Sequence, residues 1–397
     1  VVSQSYRPRH GATRTTYGRR RIAIAILAIL LVVSVFAGYS LGTFLVNPAY
    51  GTSLSARVAE WAREHGGGSL VTSIENWWYS SHPPPKGGKP PAGAITNGGP
   101  VLQSGADGAL PIPPRVVSPA VPALPGEGVW TQVGRSVHGE PAILKTVVRV
   151  DAVHTSQVAA IAWMDTALLK ASLYSGSFIP GGGPYTNTAP ISKENAKTVV
   201  AAFNSGFRMQ DAQGGYYTDG HVLPGLPLRN GAASYVIYRN GSSTVGAWGT
   251  DVTMTPDVVA VRQNLDLIVD HGAPVPGLSA TASTKWGLTL GGGVYVWRSG
   301  LGVTKDGALV YVGGPSLSIV SLADLLVRAG AVRAMECDIN TDWVQYSTYN
   351  YGPHGRANGQ NGTPLLPQMA SSPARYFDSW FNRDFVVMQA RTTSSAG

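Results

Sequence analysis

The segment Ser321–Trp343, SLADLLVRAGAVRAMECDINTDW, decides how this 397-residue chain is read. Its first ten residues read as one helix. Ser321 serves as N-cap, Asp324 three residues on completes a capping-box pattern, and Gly330 serves as C-cap. A helix that ends on glycine and runs straight into VRAMECD predicts helix, tight turn and strand. Side chains alternate faces along a strand, so Glu336 and Asp338 point the same way and Cys337 points opposite, as an ordinary buried thiol. Two carboxylates, followed by Asn340 and Asp342 at the strand end, are costly to bury unless they are paired or used.

Upstream of this segment, strand-like runs alternate with turns. KTVVRV (Lys145–Val150), QVAAIAWMD (Gln157–Asp165), ALLKASLYSG, TVVAAF, ASYVIYRNG, STVGAWG, VAVRQNLDLIVDHG, TKWGLTLGGGVYVW and GALVYVGG all read as strands. Ser192 and Asn195 cap a short helix that feeds TVVAAF. The expected fold is therefore α+β: a strand-rich, mixed-sheet domain over residues 126–391, with three or four helices and a short tail at 392–397. Hydrophobic residues make up 44% of the chain and charged residues 13%, which indicates a globular body.

Ahead of that domain the composition changes twice. Twelve prolines between Pro83 and Pro125 predict an extended, semi-rigid linker. Residues 47–82 form an amphipathic, aromatic segment in which Leu54, Val58, Trp61 and Ala62 share a helical face up to Gly66-Gly67-Gly68. Trp77, Trp78 and Tyr79 fit either a membrane interface or a juxtamembrane helix packed on the main domain. Ile22–Val46 is 25 residues without a charge, longer than the ~20 that cross a bilayer. Residues 1–21 carry Arg7, Arg9, Arg14, Arg19, Arg20 and Arg21 and are expected to be disordered. The positive-inside rule places them in the cytoplasm and everything after Val46 outside, in the plasma membrane. A cleavable signal peptide, with Val35 and Ala37 at its cleavage site, is the competing reading.

The formal charge of +8 points to nucleic acid at first sight, but without those six arginines it falls to about +2, so no nucleic-acid partner is expected. The single cysteine excludes an intrachain disulfide and a cysteine metal cluster. His154, His221, His271 and His354 lack zinc-ligand spacing, so no metal site is assigned. No cofactor is expected, and a divalent cation stays open. The oligomeric state is undetermined.

Two stretches carry candidate chemistry. In AAFNSGFRMQDAQGGYYTDG, a strand ends at Phe203 and Asn204 stands at its mouth, ahead of a Ser205-Gly206 turn. An amide there can grip a hydroxyl or phosphate oxygen, or simply end the strand in a turn. Asp211 and Asp219 suggest a loop lipping a pocket. In the opening segment, Glu336 and Asp338 have the spacing of an acid/base or nucleophile pair whose like charges separate their pKa values. Either carboxylate could instead cap backbone amides. Trp343 could stack on a sugar, and Lys285 in STKWGLTLGGG could contact an anion. A solvated lysine is the plainer reading of Lys285, and Asp266, Asp270 and His271 read as turn residues. No GxSxG or Ser-His-Asp set is present.

Together, AAFNSGF, YYTDG, TKWGLTLGGG and LADLLVRAGAVRAMECDIN resemble the phosphodiester glycosidase family over about Val129–Met388, in its actinobacterial membrane-anchored form. The resemblance implies a hydrolase of sugar-1-phosphodiester linkages in envelope glycans. It makes Asp338 the expected site carboxylate, with Glu336 beside it. With the reading of the residues themselves, Asn204, Gly206, Asp219, Lys285, Asn340 and Trp343 are the expected substrate contacts. Ser205 replaces the first glycine of the family's N-G-G-F. Ile339-Asn340-Thr341 replaces a glycine run, and Lys285 stands near the place of an arginine. A non-catalytic glycan-binding domain of the same fold is the alternative. A scaffold docking through the Trp77-Trp78 segment is a third reading.

Overall fold

A computed structural model describes residues 13–46, 50, 53–67, 70, 71, 74, 81–96, 108–177, 180, 181, 183–280, 285–287, 294–352, 354–377 and 383–392. Trp77, Trp78, Tyr79 and residues 393–397 lie outside the described residues. The chain divides into two compact units, Val1–His65 and Gly66–Gly397.

The first unit contains α1 (Thr13–Val46), whose stretch Arg19–Val46 is long and apolar enough to cross a membrane. The helix begins at Thr13, so residues 13–21 are helical where disorder was expected. The proline-free apolar run carries helical geometry back through the arginines. The helix α2 (Leu54–Ala62) is capped by Ser53, whose Oγ accepts from the Ala56 amide at 3.1 Å. Arg57 Nη1 donates to the Leu45 carbonyl at 2.7 Å, satisfying one of the carbonyls that the end of α1 leaves unpaired. Trp61 Nε1 donates to Ser40 Oγ at 3.1 Å, while Leu54 and Val58 stay exposed.

The second unit holds three sheets. The largest runs in the order β1 (Thr131–Gln132), β2 (Ile143–Arg149), β3 (Val158–Met164), β14 (Leu309–Leu317), β13 (Val296–Thr304), β15 (Ala331–Asp338), β11 (Val269–Asp270), β12 (Ala273–Pro274). A second runs β7 (His221–Val222), β6 (Tyr216–Thr218), β10 (Val258–Gln263), β8 (Ala233–Tyr238), β9 (Ser243–Ala247). The third runs β17 (Gly362–Pro364), β16 (Tyr346–Tyr349), β5 (Val199–Asn204), β18 (Phe385–Ala390), β4 (Leu169–Tyr174). The class is α+β. Every pairing between these strands is antiparallel, which corrects the expected mixed sheets. The reason is local: β2–β3, β6–β7, β8–β9 and β13–β14 are joined by short turns, which only antiparallel strands permit.

One core joins the three sheets through Ala160, Tyr311, Met335 and Cys337 of the first, Tyr235 and Ala260 of the second, and Phe203, Tyr346 and Met388 of the third. The outer face of the first sheet is covered by α3 (Ile319–Arg328), which buries Ile319, Leu322, Leu325 and Leu326 against Ile161, Val312 and Ala334. Each such side chain contributes about 1.5–3 kcal/mol on burial. With both faces covered, β3 is buried at all seven positions.

Three boundaries move relative to the sequence reading. The N-cap of α3 is Ser318, whose Oγ accepts from the Ser321 amide at 3.0 Å, while Ser321 Oγ accepts from the Ser318 amide at 2.9 Å. Asp324 instead pairs with Arg328 one turn on. Next, the strand expected over 284–297 starts at Val296 and continues to Thr304, through Gly300 and Gly302. A Cβ on Gly300 would stand 2.9 Å from Leu326 Cδ1 and 3.0 Å from the Met335 carbonyl oxygen, so glycine lets α3 and β15 close on this strand.

The third shift concerns the proline-rich stretch, which is not a free linker over its described residues. Gly87 donates to the Val153 carbonyl at 2.7 Å, and Leu110 N to Asp165 Oδ2 at 2.8 Å. Arg149 binds buried Glu127 at 2.9 Å and reaches the carbonyls of Ala120 at 2.8 Å and Pro122 at 2.6 Å. Burial alone would raise the Glu127 carboxyl. Hydrogen bonds from Arg149, Leu124 and Ser118 outweigh it and hold the group below its ordinary range. Residues 108–125 are therefore built into the strand-rich unit.

Candidate active site

Strand β15 delivers Glu336 and Asp338 to the same buried region, each 1% exposed. A bulge in its pairing with β13 sets Asp338 opposite Ser299 and Glu336 opposite Gly300. Glu336 Oε1 accepts from Arg298 Nη1 at 2.6 Å, and Arg298 Nε is fixed on the Leu317 carbonyl at 2.9 Å. Glu336 Oε2 is buried and accepts no hydrogen bond among the described residues. Gly287 approaches that oxygen so closely that a Cβ there would stand 2.8 Å from it. Burial lifts the Glu336 carboxyl to about 7, against the opposing pull of Arg298 and with a further push from Asp338. A carboxyl so placed is partly protonated near neutrality and can give or take a proton.

Asp338 is held differently. Its Oδ1 accepts from the amides of Ile339 at 2.8 Å and Asn340 at 2.9 Å, and its Oδ2 from Arg383 Nη1 at 3.1 Å. Burial still lifts it, to about 6, because desolvation exceeds what Arg383 and the amides restore. Arg383 is in turn placed by Trp343, whose ring has Arg383 Cζ at 3.7 Å and Arg375 Cζ at 3.9 Å from its centroid. Trp343 is 3% exposed. The expectation that it stacks on a sugar is thus corrected: two guanidinium groups occupy its ring. Asn340 shapes the turn, its Oδ1 accepting from the Asp342 amide at 2.9 Å.

The mouth of β5 meets this region. Asn204 Nδ2 donates to Ser299 Oγ at 3.1 Å, and Asn204 Oδ1 accepts from Tyr311 Oη at 2.7 Å and the Gln345 amide at 3.2 Å. Ser299 Oγ also accepts from the Asp338 amide at 3.3 Å. Asn204 therefore grips the protein's own strands. Beyond it, Ser205 Oγ donates to Asp384, and Asp384 pairs with fully buried Arg262 at 2.7 Å. Arg262 also donates to the Phe207 carbonyl and passes directly over Gly206. Asn264 ties the turn to β15: its Oδ1 accepts from Phe207 N at 3.1 Å and its Nδ2 donates to the Glu336 carbonyl at 2.6 Å.

The structure thus brings together Glu336, Asp338, Asn204, Gly206 and Asn340. Asp219 sits in the exposed β6–β7 turn, where its Oδ2 accepts from Thr186 N at 3.0 Å and Thr218 Oγ1 at 3.1 Å. Lys285 is exposed, and its neighbours at 281–284 and 288–293 lie outside the described residues. Asp211, Asp266 and Asp270 pair with Arg208, Arg229 and Arg333. Arg298, Arg262, Arg383, Asp384, Ser299 and Asn264 escaped the sequence reading. A signal existed for two: Arg262 in VAVRQ and Arg298 in VWRSG are charges inside strands, and a buried guanidinium requires a buried partner. Among the described residues, no group of three or more His, Cys, Asp or Glu gathers as metal ligands.

No family model and no curated protein sequence matches the chain. The chain is similar to solved structures. One is the catalytic domain of zebrafish N-acetylglucosamine-1-phosphodiester alpha-N-acetylglucosaminidase, auto-inhibited by its pro-peptide. Identity is 12%, with 66% of this chain and 88% of that chain covered and a TM-score of 0.41. A hypothetical protein from Synechocystis is 12% identical over 66% of this chain and 64% of its own, with a TM-score of 0.39. Likeness at this level carries no argument about activity.

Proposed function

We propose that the strand-rich unit is a hydrolase of sugar-1-phosphodiester linkages, held outside the plasma membrane by α1 and acting on envelope glycans. The arginine cluster ahead of Ile22 supports a cytoplasmic N-terminus. The observation that carries the reading is the contrast between two neighbouring carboxyls. Glu336 has one oxygen fixed by Arg298 and one without a partner among the described residues, with a pKa near neutrality. Asp338 has both oxygens engaged. In this reading Glu336 protonates the departing phosphate oxygen as the sugar–oxygen bond breaks, and water adds to the sugar carbon, giving up a proton that restores Glu336. Asp338 and Arg383 hold the charge beside it. Lys285 and Asp219, both exposed, meet the outer parts of the substrate.

The test is turnover by the full chain, in detergent, of an N-acetylglucosamine-1-phosphodiester. Glu336→Gln is expected to lose about 100-fold or more, the usual scale of a general acid, and Asp338→Asn to lose activity as well. Turnover by both variants at the wild-type rate would sink the proposal. The full occupation of Asp338 favours a second reading, a glycan-binding domain of the same fold. Binding of the phosphodiester without turnover by the unsubstituted chain supports that one.

A further inference from the structure

A cavity lies at the β1–β2 edge of the large sheet, against the proline-rich segment. Its volume is about 330 Å³. Pro91–Thr96 forms one wall, Leu366–Gln368 another, and strands β1 and β2 the floor. Thr131 pairs with Lys145 across those strands, and Val147 lies two residues along β2 on the same face. Among the described residues that line the cavity, Lys145 is the one that carries a charge. It is partly buried, and among the described residues no carboxylate pairs with it. Burial lowers its pKa. That contrasts with Arg149, Arg262, Arg298 and Arg383, each of which has a carboxylate within ion-pair distance. A desolvated ammonium without a counterion is unfavourable, and an anion entering the cavity would relieve it.

We infer that this cavity is a binding site for a small monocarboxylate, with Lys145 holding the carboxylate and Val129, Val147 and Leu366 enclosing an apolar body. The charge count selects the class. One ammonium neutralises a carboxylate, whereas a phosphate dianion would leave net negative charge in a partly desolvated site that has no second cation among the described residues. The lining sets the aliphatic side chains of Val129, Val147 and Leu366 near the lysine together with the polar Thr96, Thr146 and Gln368, while Thr131 spends its hydroxyl on the Lys145 carbonyl at 3.2 Å. Because Pro91–Thr96 forms a wall, an occupant would touch both the proline-rich segment and the sheet.

Titration of the full chain in nanodiscs with butanoate tests this, with butanol and inorganic phosphate as controls. Butanoate is expected to bind, and Lys145→Met to weaken it at least about tenfold, the scale of one charge-assisted hydrogen bond. Lys145→Arg, which keeps the charge, is expected to retain binding and covers the case in which the Met variant does not fold. Equal binding by Lys145→Met, tighter binding of phosphate or butanol, or no butanoate binding up to about 10 mM would each overturn the assignment.

Discussion

A β-carbon added to Gly206 would stand 2.8 Å from Cζ of Arg262. The turn after β5 thus closes directly onto a fully buried guanidinium, which is itself anchored on Asp384 at 2.7 Å. The arginine cannot retreat without abandoning that carboxylate. Gly206→Ala is therefore expected to destabilise the strand-rich unit by about 1–3 kcal/mol, the usual cost of overpacking, read as a shift in denaturant midpoint. An unchanged midpoint would mean that the turn moves freely over Arg262.

The start of α3 offers a sharper comparison. Ser318 Oγ accepts from the Ser321 amide, whereas Asp324 is engaged in a half-exposed pair with Arg328. Ser318→Ala is expected to cost about 1 kcal/mol, as for other N-caps. Asp324→Ala should stay within about 0.5 kcal/mol, because exposed i,i+4 pairs contribute little. A larger effect at Asp324 would restore Ser321 as the cap.

The contrast between Ser318 and Ser321 also shows what was legible in the sequence. Alternation along AVRAMECD puts Glu336 and Asp338 in one region, and the bulge against β13 leaves both of them there. The cap was misplaced by three residues because Ser318 and Ser321 satisfy one another, and each has the chemistry of a cap. Strand β13 was largely missed because Gly300 and Gly302 weaken a strand signal, although they are what lets α3 pack on it. The roles within the site were hidden for a different reason. Which of two carboxyls is left with an open oxygen depends on Arg298, Arg383 and two turn amides, and Arg298 and Arg383 are 38 and 45 residues distant in the chain from the carboxyls they bind.

Residues 108–125 contribute acceptors to Arg149, which is 5% exposed. Deleting them from the full chain removes the Ser118 hydroxyl and the Ala120 and Pro122 carbonyls from around a buried charge. Hydrogen bonds to charged groups contribute about 1.5–3 kcal/mol each, so the deletion should lower stability by about 3 kcal/mol or more. Deleting residues outside this set, such as 97–100, serves as the control for shortening the segment. Equal midpoints for the two deletions would show that Glu127 alone suffices for Arg149.

The pH dependence of stability separates Glu336 from the other buried carboxyls. Burial lifts Glu336 to about 7 and Asp338 to about 6, whereas such groups titrate near ~4 in an unfolded chain. Across that interval the folded chain binds more protons than the unfolded one. The stability these groups contribute is therefore complete below about pH 4 and is lost as the pH rises through about 7. Glu127 and Asp151 are held below their ordinary values, so their contribution has the opposite sign and disappears only as the pH falls below the same interval. The melting temperature is thus expected to fall between pH 5 and pH 8, a window set by those two raised values. Glu336→Gln cannot ionise yet still offers Arg298 an acceptor, so it should flatten the fall and leave the parts due to Asp338 and to Asp165, which burial also raises. An identical slope in the variant would mean that Glu336 does not change its protonation in that window. A rise in the wild-type chain would mean that both carboxyls are ionised throughout it.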